Sequence, residues 1–315
     1  MHKISKILFT AALALLTATT AAQSQKAISI SRVVNDDNDI SVEDINQVNS
    51  TIIVSDTLVG WQVDWVGAFK GAQAAYSNWS NGGVNTISVT GSSLFNAMYR
   101  AGRFAYALST DLRYGLSHID NEGTRKINDK ISINNKFSQL FGADSLWTIF
   151  ANINFTTQFD KGFDYSEEDN PILISEFMAP AYFTQIVGVG YLPTESLSFT
   201  SGLALKETFV LNDSLSTVYG LAPGDNFRFE PGFALGIQFE KEIFENVKLL
   251  TSLESFTNIK RSFSRTDIFF NAELIGEIND FLNMSFQFAA IYDDDFSEQL
   301  QIKQVLAAGL TFTLL

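Results

Sequence analysis

The chain has 315 residues, a formal net charge of −14 and no cysteine, and 46% of its residues are hydrophobic. The acidic balance disfavours a nucleic-acid partner, because binding phosphates needs clustered cations. The lack of cysteine excludes disulfides and thiolate sites for metals or nucleophilic catalysis. Stability therefore has to come from backbone pairing and burial.

Residues 1–22 are predicted to be a secretory signal peptide. Lys3 and Lys6 precede an apolar run from Ile7 to Leu16, and a stretch of small residues ends at Ala22. This order of charged, apolar and small residues is typical of export signals. A membrane anchor is the alternative, but the apolar run has about half of the ~20 residues that a spanning helix needs. We expect the exported chain to begin at Gln23.

Residues 23–59 are predicted to form a flexible acidic lead segment in the periplasm. They include the polar stretch "VVNDDNDISVEDINQVNS", which has no sustained periodicity. Such composition is typical of segments that do not fold alone. The alternative is that this segment plugs the interior of the domain that follows.

Residues 60–315 are predicted to be one all-β domain, because hydrophobic and polar residues alternate with period two from Gly60 onward. Connections between the alternating segments are short and long in turn, as in a transmembrane antiparallel β-barrel with short periplasmic turns and long extracellular loops. An even strand number would return both barrel ends to the periplasm. About twelve strands are expected, at 60–69, 84–97, 103–116, 127–140, 146–159, 181–192, 197–210, 228–240, 247–259, 266–278, 283–293 and 300–314.

The stretch "LWTIFANINFTTQF", residues 146–159, places Trp147 and its alternate neighbours on an apolar side and Asn152 and Asn154 on a polar side. A soluble sandwich and a membrane barrel both fit this alternation. Spacing favours the barrel, because ten residues at ~3.3 Å each, tilted by about 40°, rise roughly 25 Å, the height of a lipid-facing band. Aromatic pairs with this spacing are Phe104 and Tyr114, Phe199 and Phe209, and Phe229 and Phe239.

If the apolar sides meet lipid, the polar sides line the lumen. The lumen-lining candidates are Asp64, Asp111, Arg113, Lys206, Glu230, Glu240, Glu254, Asp267 and Glu273. Over all predicted strands the same parity rule gives eight acidic positions (64, 111, 230, 240, 254, 267, 273 and 277) and six basic ones (113, 130, 136, 206, 248 and 303). This small acidic excess predicts a weak preference for cations.

Two further groups of residues have predicted roles. Asn78, Trp79, Gly82 and Gly83 end the first long loop and could fold inward as a constriction; the other interpretation is a permissive turn with an interfacial tryptophan. Gly309, Phe312 and Leu314 in the last strand are similar to the terminal signal that the barrel assembly machinery reads. That machinery is therefore an expected partner.

Four stretches resemble, in this order, an uncharacterised Gram-negative outer-membrane barrel family catalogued as domain of unknown function 3078. They are "SNWSNGGVNTIS" (77–88), "INFTTQFDKGFDY" (153–165), "ISEFMAPAY" (174–182) and "IYDDDF" (291–296). The resemblance covers nearly all of the chain after Gly60. It implies a barrel fold and an outer-membrane location, and hence contact with lipid and lipopolysaccharide. It implies no activity, because the family has none assigned.

Residues that could carry chemistry are few. His118 lies next to Ser117 and near Asp120 in the stretch "SHIDNEGTRK", which is predicted to be a loop. Because sequence neighbours on a loop rarely have triad geometry, we reject a barrel lipase or protease and expect no enzyme. The run Asp293, Asp294 and Asp295 is a weak candidate for Ca²⁺, but it lacks the spaced ligands of a calcium loop. No cofactor or metal is expected.

Two functions remain open. The first is a passive channel or uptake pore for small polar solutes. The second is a plugged structural or binding barrel that acts through its extracellular loops. Twelve strands lie between filled eight-stranded barrels and open sixteen-stranded porins, so strand number does not choose between them.

Overall fold

The computed structural model describes residue 54 and residues 58–74, 84–142, 146–165, 171–194, 196–260, 266–279, 282–293 and 297–313. They fall in the compact unit Ser31–Leu315. The predicted signal peptide, most of the lead segment, the four constriction candidates, Leu314, Asp294 and Asp295 lie outside the described residues. Among the described residues no helix has the length and apolarity needed to cross a membrane.

Twelve antiparallel strands close into a single barrel. Two further strands, β6 (Gly162–Asp164) and β7 (Ile172–Ser175), form a separate hairpin, and a 3-10 helix spans Asp213–Tyr219. The predicted twelve-stranded barrel is confirmed. Its strands are β1 (Gly60–Ala74), β2 (Thr86–Ala101), β3 (Phe104–Ile119), β4 (Gly123–Phe141), β5 (Trp147–Thr157), β8 (Ala181–Thr194), β9 (Leu197–Phe209), β10 (Phe227–Phe244), β11 (Val247–Asn258), β12 (Asp267–Glu277), β13 (Leu282–Asp293) and β14 (Ser297–Thr313).

The two ends of the barrel differ. The turn end holds the start of β1, the end of β14 and tight connections such as those at Gly102 and Asn246. Both residues have positive φ, 57° and 61°, which glycine and asparagine tolerate best. The loop end holds the long connections 158–180 and 210–226.

One predicted loop is wrong. His118 lies on β3, not in a loop, because β3 and β4 continue to the tight turn 120–122. Asn121 and Gly123 have φ of 69° and 89°, which closes this hairpin in three residues. Across the hairpin, His118 Nδ1 lies 3.0 Å from Thr124 Oγ1.

The outer wall of the barrel is apolar. Along the barrel strands, wherever side-chain burial is described, the side chains of one parity are mostly exposed and hydrophobic, while their neighbours of the other parity point inward. An apolar surface that surrounds a protein is far larger than the patches that soluble monomers expose, and in a closed barrel it matches the hydrocarbon of a membrane. Its members include Trp61, Trp65, Phe69, Ile149, Val187, Val189, Leu203, Leu235, Phe286 and Leu310.

Aromatic side chains form a girdle at the turn end. Ring centroids of Trp61 and Tyr99 lie 5.0 Å apart, and those of Trp147 and Tyr191 lie 4.6 Å apart. The series continues to Phe199, 6.4 Å from Tyr191. Near the loop end, the ring centroids of Phe209 and Phe227 lie 5.1 Å apart. Aromatic girdles at two heights are expected where a barrel meets the two membrane interfaces.

The inner wall is partly apolar, a feature that the alternation of polar and apolar residues in the sequence does not predict. An inner apolar cluster of buried side chains faces the interior from β5 and from β8 to β13. Glycines make room for it, because a Cβ on Gly232 would lie 2.3 Å from Phe256 Cε2. The polar residues predicted to line the lumen therefore share the inner wall with this apolar cluster. The cluster consists of Phe150, Ile186, Ala204, Ala234, Phe256, Phe269 and Ile291.

Candidate functional site

The barrel interior is the candidate site, because the predicted lumen residues all lie at inward-facing strand positions. Five of them are buried: Asp111, Lys206, Glu230, Glu254 and Asp267. The other four, Asp64, Arg113, Glu240 and Glu273, are half-buried.

One cluster of inner charges lies on β3 and β4. Arg113 donates twice to Asp111, from Nε to Oδ1 at 3.0 Å and from Nη2 to Oδ2 at 2.8 Å. Lys130 lies opposite Arg113 in the strand register and places Nζ 3.7 Å from Asp111 Oδ2. A bidentate guanidinium–carboxylate pair is stronger and more directional than a single bond. Two cations thus share one carboxylate on this side of the interior.

The second cluster, here called the inner charge cluster, comprises Lys206, Asp267, Arg228, Glu230 and Asn258, in the half of the barrel nearer the loop end. Lys206 Nζ lies 3.4 Å from Asp267 Oδ2, and the lysine is only 2% exposed. Arg228 Nη2 lies 3.0 Å from Glu230 Oε2, and Asn258 Nδ2 donates to Glu230 Oε1 at 3.0 Å. Charges so far from water require these partners, because desolvation is costly.

Lys206 also links the charges to the inner apolar cluster. Its ammonium lies 5.5 Å from the ring centroid of Phe256 and 6.0 Å from that of Tyr182. An ammonium above an aromatic face is attracted by the ring quadrupole. A polar layer nearer the loop end therefore passes directly into an apolar layer.

The set of inner cations predicted from the sequence leaves out Arg100 and Arg228, among others. Arg100 lies beyond the predicted end of the second strand, and Arg228 shares the inward parity of Glu230 but was not counted. Arg125 on β4 lies opposite the buried Ser117 and is a further inward cation, while Glu242 on β10 lies opposite Lys248 and is a further inward carboxylate. With these residues added, the described strands have no acidic excess at their inward positions. The acidic excess on which the predicted cation preference partly rested is therefore absent from the inner wall.

Arg100 also contacts the lead segment. Its Nη2 donates to the carbonyl oxygen of Val54 at 2.7 Å, and both residues are buried. Arg100 lies at the turn end, opposite Gly60 in the register. At this residue the lead segment thus reaches the turn end of the inner wall.

The loop end carries a folded cap made of β6, β7, the 3-10 helix and the turn 176–179. Tyr219 donates its hydroxyl to the carbonyl oxygen of Ile174 at 2.6 Å. Burial, together with the nearby phenol of Tyr182 on the inner wall, raises the pKa of Tyr219. The described parts of the connections 158–180 and 210–226 therefore pack around an apolar centre of their own, formed by Ala179, Val210, Leu215, Tyr219 and Leu221.

The stretch 153–165 is held by Asp129 on β4. Its carboxylate accepts the backbone N–H groups of Phe159 and Asp160 at 2.7 and 2.8 Å and pairs with Lys126 Nζ at 2.6 Å. The N–H of Lys161 and the hydroxyl of Tyr114 bond to Asp160 and hold the pKa of that carboxyl below its usual range. These bonds explain why Asp129 is buried although it lies at an outward-facing position of β4.

The stretch 174–182 is the centre of the cap. Gln158 Nε2 donates to the carbonyl oxygen of Glu176 at 2.9 Å. Thr157 Oγ1 donates to the carbonyl oxygen of Pro180 at 3.0 Å and accepts the N–H of Met178 at 3.1 Å. The stretches 153–165 and 174–182, two of the four that carry the sequence resemblance, thus fix the cap on β5 and β8.

Ser117, His118 and Asp120 do not come together. Neighbours on a strand point to opposite faces. The buried Ser117 Oγ accepts a hydrogen bond from Ser88 Oγ at 2.8 Å inside the barrel. His118 lies on the exposed face. Asp120 instead accepts a hydrogen bond from Asn85 Nδ2 at 2.8 Å. Neither His118 nor Asp120 is therefore placed to act as a base on the Ser117 hydroxyl.

The remaining predicted residues are placed only in part. Gly309 is buried on β14, and Phe312 faces outward with 41% exposure. Asp293 ends β13. Within the described parts of the chain, no group of three or more histidine or acidic side chains is arranged to hold a metal ion.

Solved structures with a similar course of the chain are membrane barrels. The translocator domain of the autotransporter NalP from Neisseria meningitidis has 12% identity and a TM-score of 0.39, covering 86% of this chain and 91% of that one. The COG4313 outer membrane channel from Pseudomonas putida F1 has 10% identity and a TM-score of 0.41, with 84% and 100% covered. The KdgM porin in complex with disordered oligogalacturonate has 9% identity and a TM-score of 0.33, with 79% and 98% covered. The search of curated proteins finds no match.

A closed antiparallel barrel with an apolar outer wall is the architecture of outer-membrane proteins. Two of the four stretches that carry the sequence resemblance, 77–88 and most of 153–165, fall inside residues 72–163; the other two lie beyond them. Residues 72–163 match the model of the family described as "Protein of unknown function (DUF3078)", which confirms the family that the sequence indicates.

Proposed function

We propose that this protein is a narrow channel for small polar solutes in the outer membrane of a Gram-negative bacterium, with its turn end in the periplasm and its cap outside. The observation that carries the proposal is the set of paired charges on the inner wall, above all Lys206 with Asp267 and Arg113 with Asp111. A barrel that served only as a scaffold could fill its interior with apolar side chains at lower desolvation cost.

A second candidate is a closed barrel that binds ligands through its cap. The inner apolar cluster favours it, because Phe256 and Phe269 are each 1% exposed. A hydrophobic constriction can close a pore by excluding water. The two candidates therefore differ in whether this layer opens.

Cation preference belongs to the proposal, although the described inward positions have no acidic excess. Support comes from the turn-end half, where Glu240 and Glu273 flank Leu250 in the register. Glu254 lies next to this layer on β11. Solutes that move along β11 from the turn end would thus pass Lys248 first and then the three carboxylates.

We expect replacement of Glu240, Glu254 and Glu273 by glutamine to shift the reversal potential in a potassium chloride gradient towards anion permeation. Reversal potential in planar bilayers measures the change. Glu207→Gln is the matched control, because Glu207 faces outward and accepts a bond from Gln185. An unchanged potential in the triple variant would reject these residues as pore lining.

Single-channel conductance tests the function itself. The proposal predicts small current steps in wild-type protein and larger steps in Phe256→Ala, which widens the apolar layer. Absence of current steps at every voltage in both proteins would favour the closed binding barrel and eliminate the channel.

Contacts with lipopolysaccharide and insertion by the barrel assembly machinery through Gly309, Phe312 and Leu314 are part of the same proposal. It includes no catalytic role and no cofactor.

A further inference from the structure

The inner wall carries its two kinds of charge on different sides. Five cations and one carboxylate occupy the described inward positions of β2, β3 and β4, here called the cationic sector. They are Arg100, Arg113, Arg125, Lys130, Lys136 and Asp111. Seven carboxylates and two cations occupy the described inward positions of β10, β11 and β12, here called the acidic sector. They are Glu230, Glu240, Glu242, Glu254, Asp267, Glu273, Glu277, Arg228 and Lys248.

The two sectors face each other across the interior. In the closed order of the twelve strands, β2, β3 and β4 each lie six places from β10, β11 and β12, which is half of the circle. β5 and β8, which separate the sectors on one side, contain no charged residue. Because the unlike charges lie on opposite sides, their electric field runs across the lumen.

Members of both sectors can be reached from the interior. Arg113 and Lys136 in the cationic sector are half-buried, and so are Glu240 and Glu273 in the acidic sector. Asp111 is the one carboxylate among the described inward positions of the cationic sector, and its charge can balance only one of the cations there. Each sector therefore keeps a net charge that a solute of opposite charge can meet.

Amide side chains lie beside the cationic sector. On β4 and β5, Asn134, Asn152 and Asn154 face inward, and all three are buried. Nδ2 and Oδ1 of Asn134 have no hydrogen-bond partner among the described residues, and neither has Oδ1 of Asn152. Buried amides are normally bonded. A peptide group offers one N–H donor and one carbonyl acceptor, so it matches what Asn134 lacks.

The width of the barrel limits which solute can touch both sectors at once. Twelve strands about 4.8 Å apart, tilted by about 40°, give a wall roughly 24 Å in diameter. The long charged side chains of both sectors narrow the free passage. An extended peptide spans about 3.5 Å per residue, so a chain of about three residues bridges a gap of roughly 10 Å.

We propose that the solutes of this channel include short zwitterionic peptides, which lie across the lumen with the carboxylate at the cationic sector and the ammonium at the acidic sector. Their peptide groups bond to Asn134 and Asn152. This inference rests on the proposed passage of polar solutes and names the class of solute. A peptide with a single charge is attracted by one sector and repelled by the other, whereas a zwitterion is attracted by both.

Binding of three matched peptides to the wild-type protein in lipid nanodiscs tests the assignment. Triglycine has both charges, N-acetyl-triglycine has only the carboxylate, and triglycine amide has only the ammonium. Saturation-transfer NMR gives each Kd without any current. We expect the Kd of triglycine to be at least about threefold lower than the other two, because two charge interactions act instead of one.

The outcomes separate this inference from the channel itself. Equal Kd values for the three peptides, in a barrel that conducts ions, would overturn the zwitterion assignment and leave the channel intact. A preference for triglycine in a barrel that passes no current would support the binding site and overturn only the channel.

Two variants show which sector holds which end of the peptide. Lys136→Gln should weaken the binding of triglycine and N-acetyl-triglycine by about threefold and should not weaken that of triglycine amide. Glu273→Gln should weaken the binding of triglycine and triglycine amide and should not weaken that of N-acetyl-triglycine. Glu207→Gln on the outer wall is the matched control and should change none of the three. Equal losses for all three peptides in both variants would reject the two sectors as the binding surfaces.

Discussion

Replacement of Lys206 by methionine is expected to lower the free energy of unfolding by about 3–5 kcal/mol, because removal of one partner leaves a buried charge without compensation. Methionine keeps most of the side-chain volume, so the loss reports the ammonium rather than packing. The carboxylate left behind is that of Asp267, which is 4% exposed. Urea unfolding in lipid vesicles measures the effect.

Two further variants make this experiment specific. Lys206→Met combined with Asp267→Asn should recover most of the stability, because neither charge then remains buried. Lys161→Met is the surface control: Lys161 is 59% exposed and 3.9 Å from Glu176, so the expected loss is at most about 1 kcal/mol. Equal losses in Lys206→Met and Lys161→Met would show that the inner charge cluster is hydrated.

The substitution Leu203→Arg is expected to lower the free energy of unfolding by about 2–4 kcal/mol, as a charge on the lipid face near the bilayer midplane does. Leu203 is 70% exposed in the middle of β9, beside Val187 on β8. At a position exposed to water the same change would stay within about 0.5 kcal/mol. Refolding and unfolding in urea with lipid vesicles give the difference.

Leu211→Arg is the control for this change. Leu211 is 61% exposed, but it follows the end of β9 in the cap. An arginine there should cost about 0–1 kcal/mol, the value near an interface. A cost at Leu203 no larger than at Leu211 would contradict a lipid-facing outer wall.

The strands could be predicted because lipid on one side and the interior on the other impose period two along the sequence. β2 ends at Ala101 and not at residue 97, and β3 runs to Ile119, since hydrogen bonding continues beyond the apolar pattern. The cap could not be predicted. Its contacts, such as Tyr219 with Ile174 and Asn212 with Glu176, join residues far apart in the chain.

The interior could be predicted only for its polar members. Parity assigns Asp111 and Lys206 to the inner wall, but Phe150 lies within the run Ile149–Ala151, where a local pattern does not say which apolar residue turns inward. Arg100 was missed because the predicted strand ended before it. Its bond to Val54 depends on a segment that has no periodicity.

Accessibility of a nitroxide on Leu203→Cys, compared with one on Ala204→Cys, tests the central claim most directly, since the two neighbours point to opposite sides of the wall. In lipid vesicles the Leu203 label should collide more often with oxygen, which dissolves in hydrocarbon, than with a water-soluble nickel chelate. The Ala204 label should be poorly accessible to oxygen. If nickel relaxes the Leu203 label more strongly than oxygen does, the outer wall of this barrel meets water and the account is wrong.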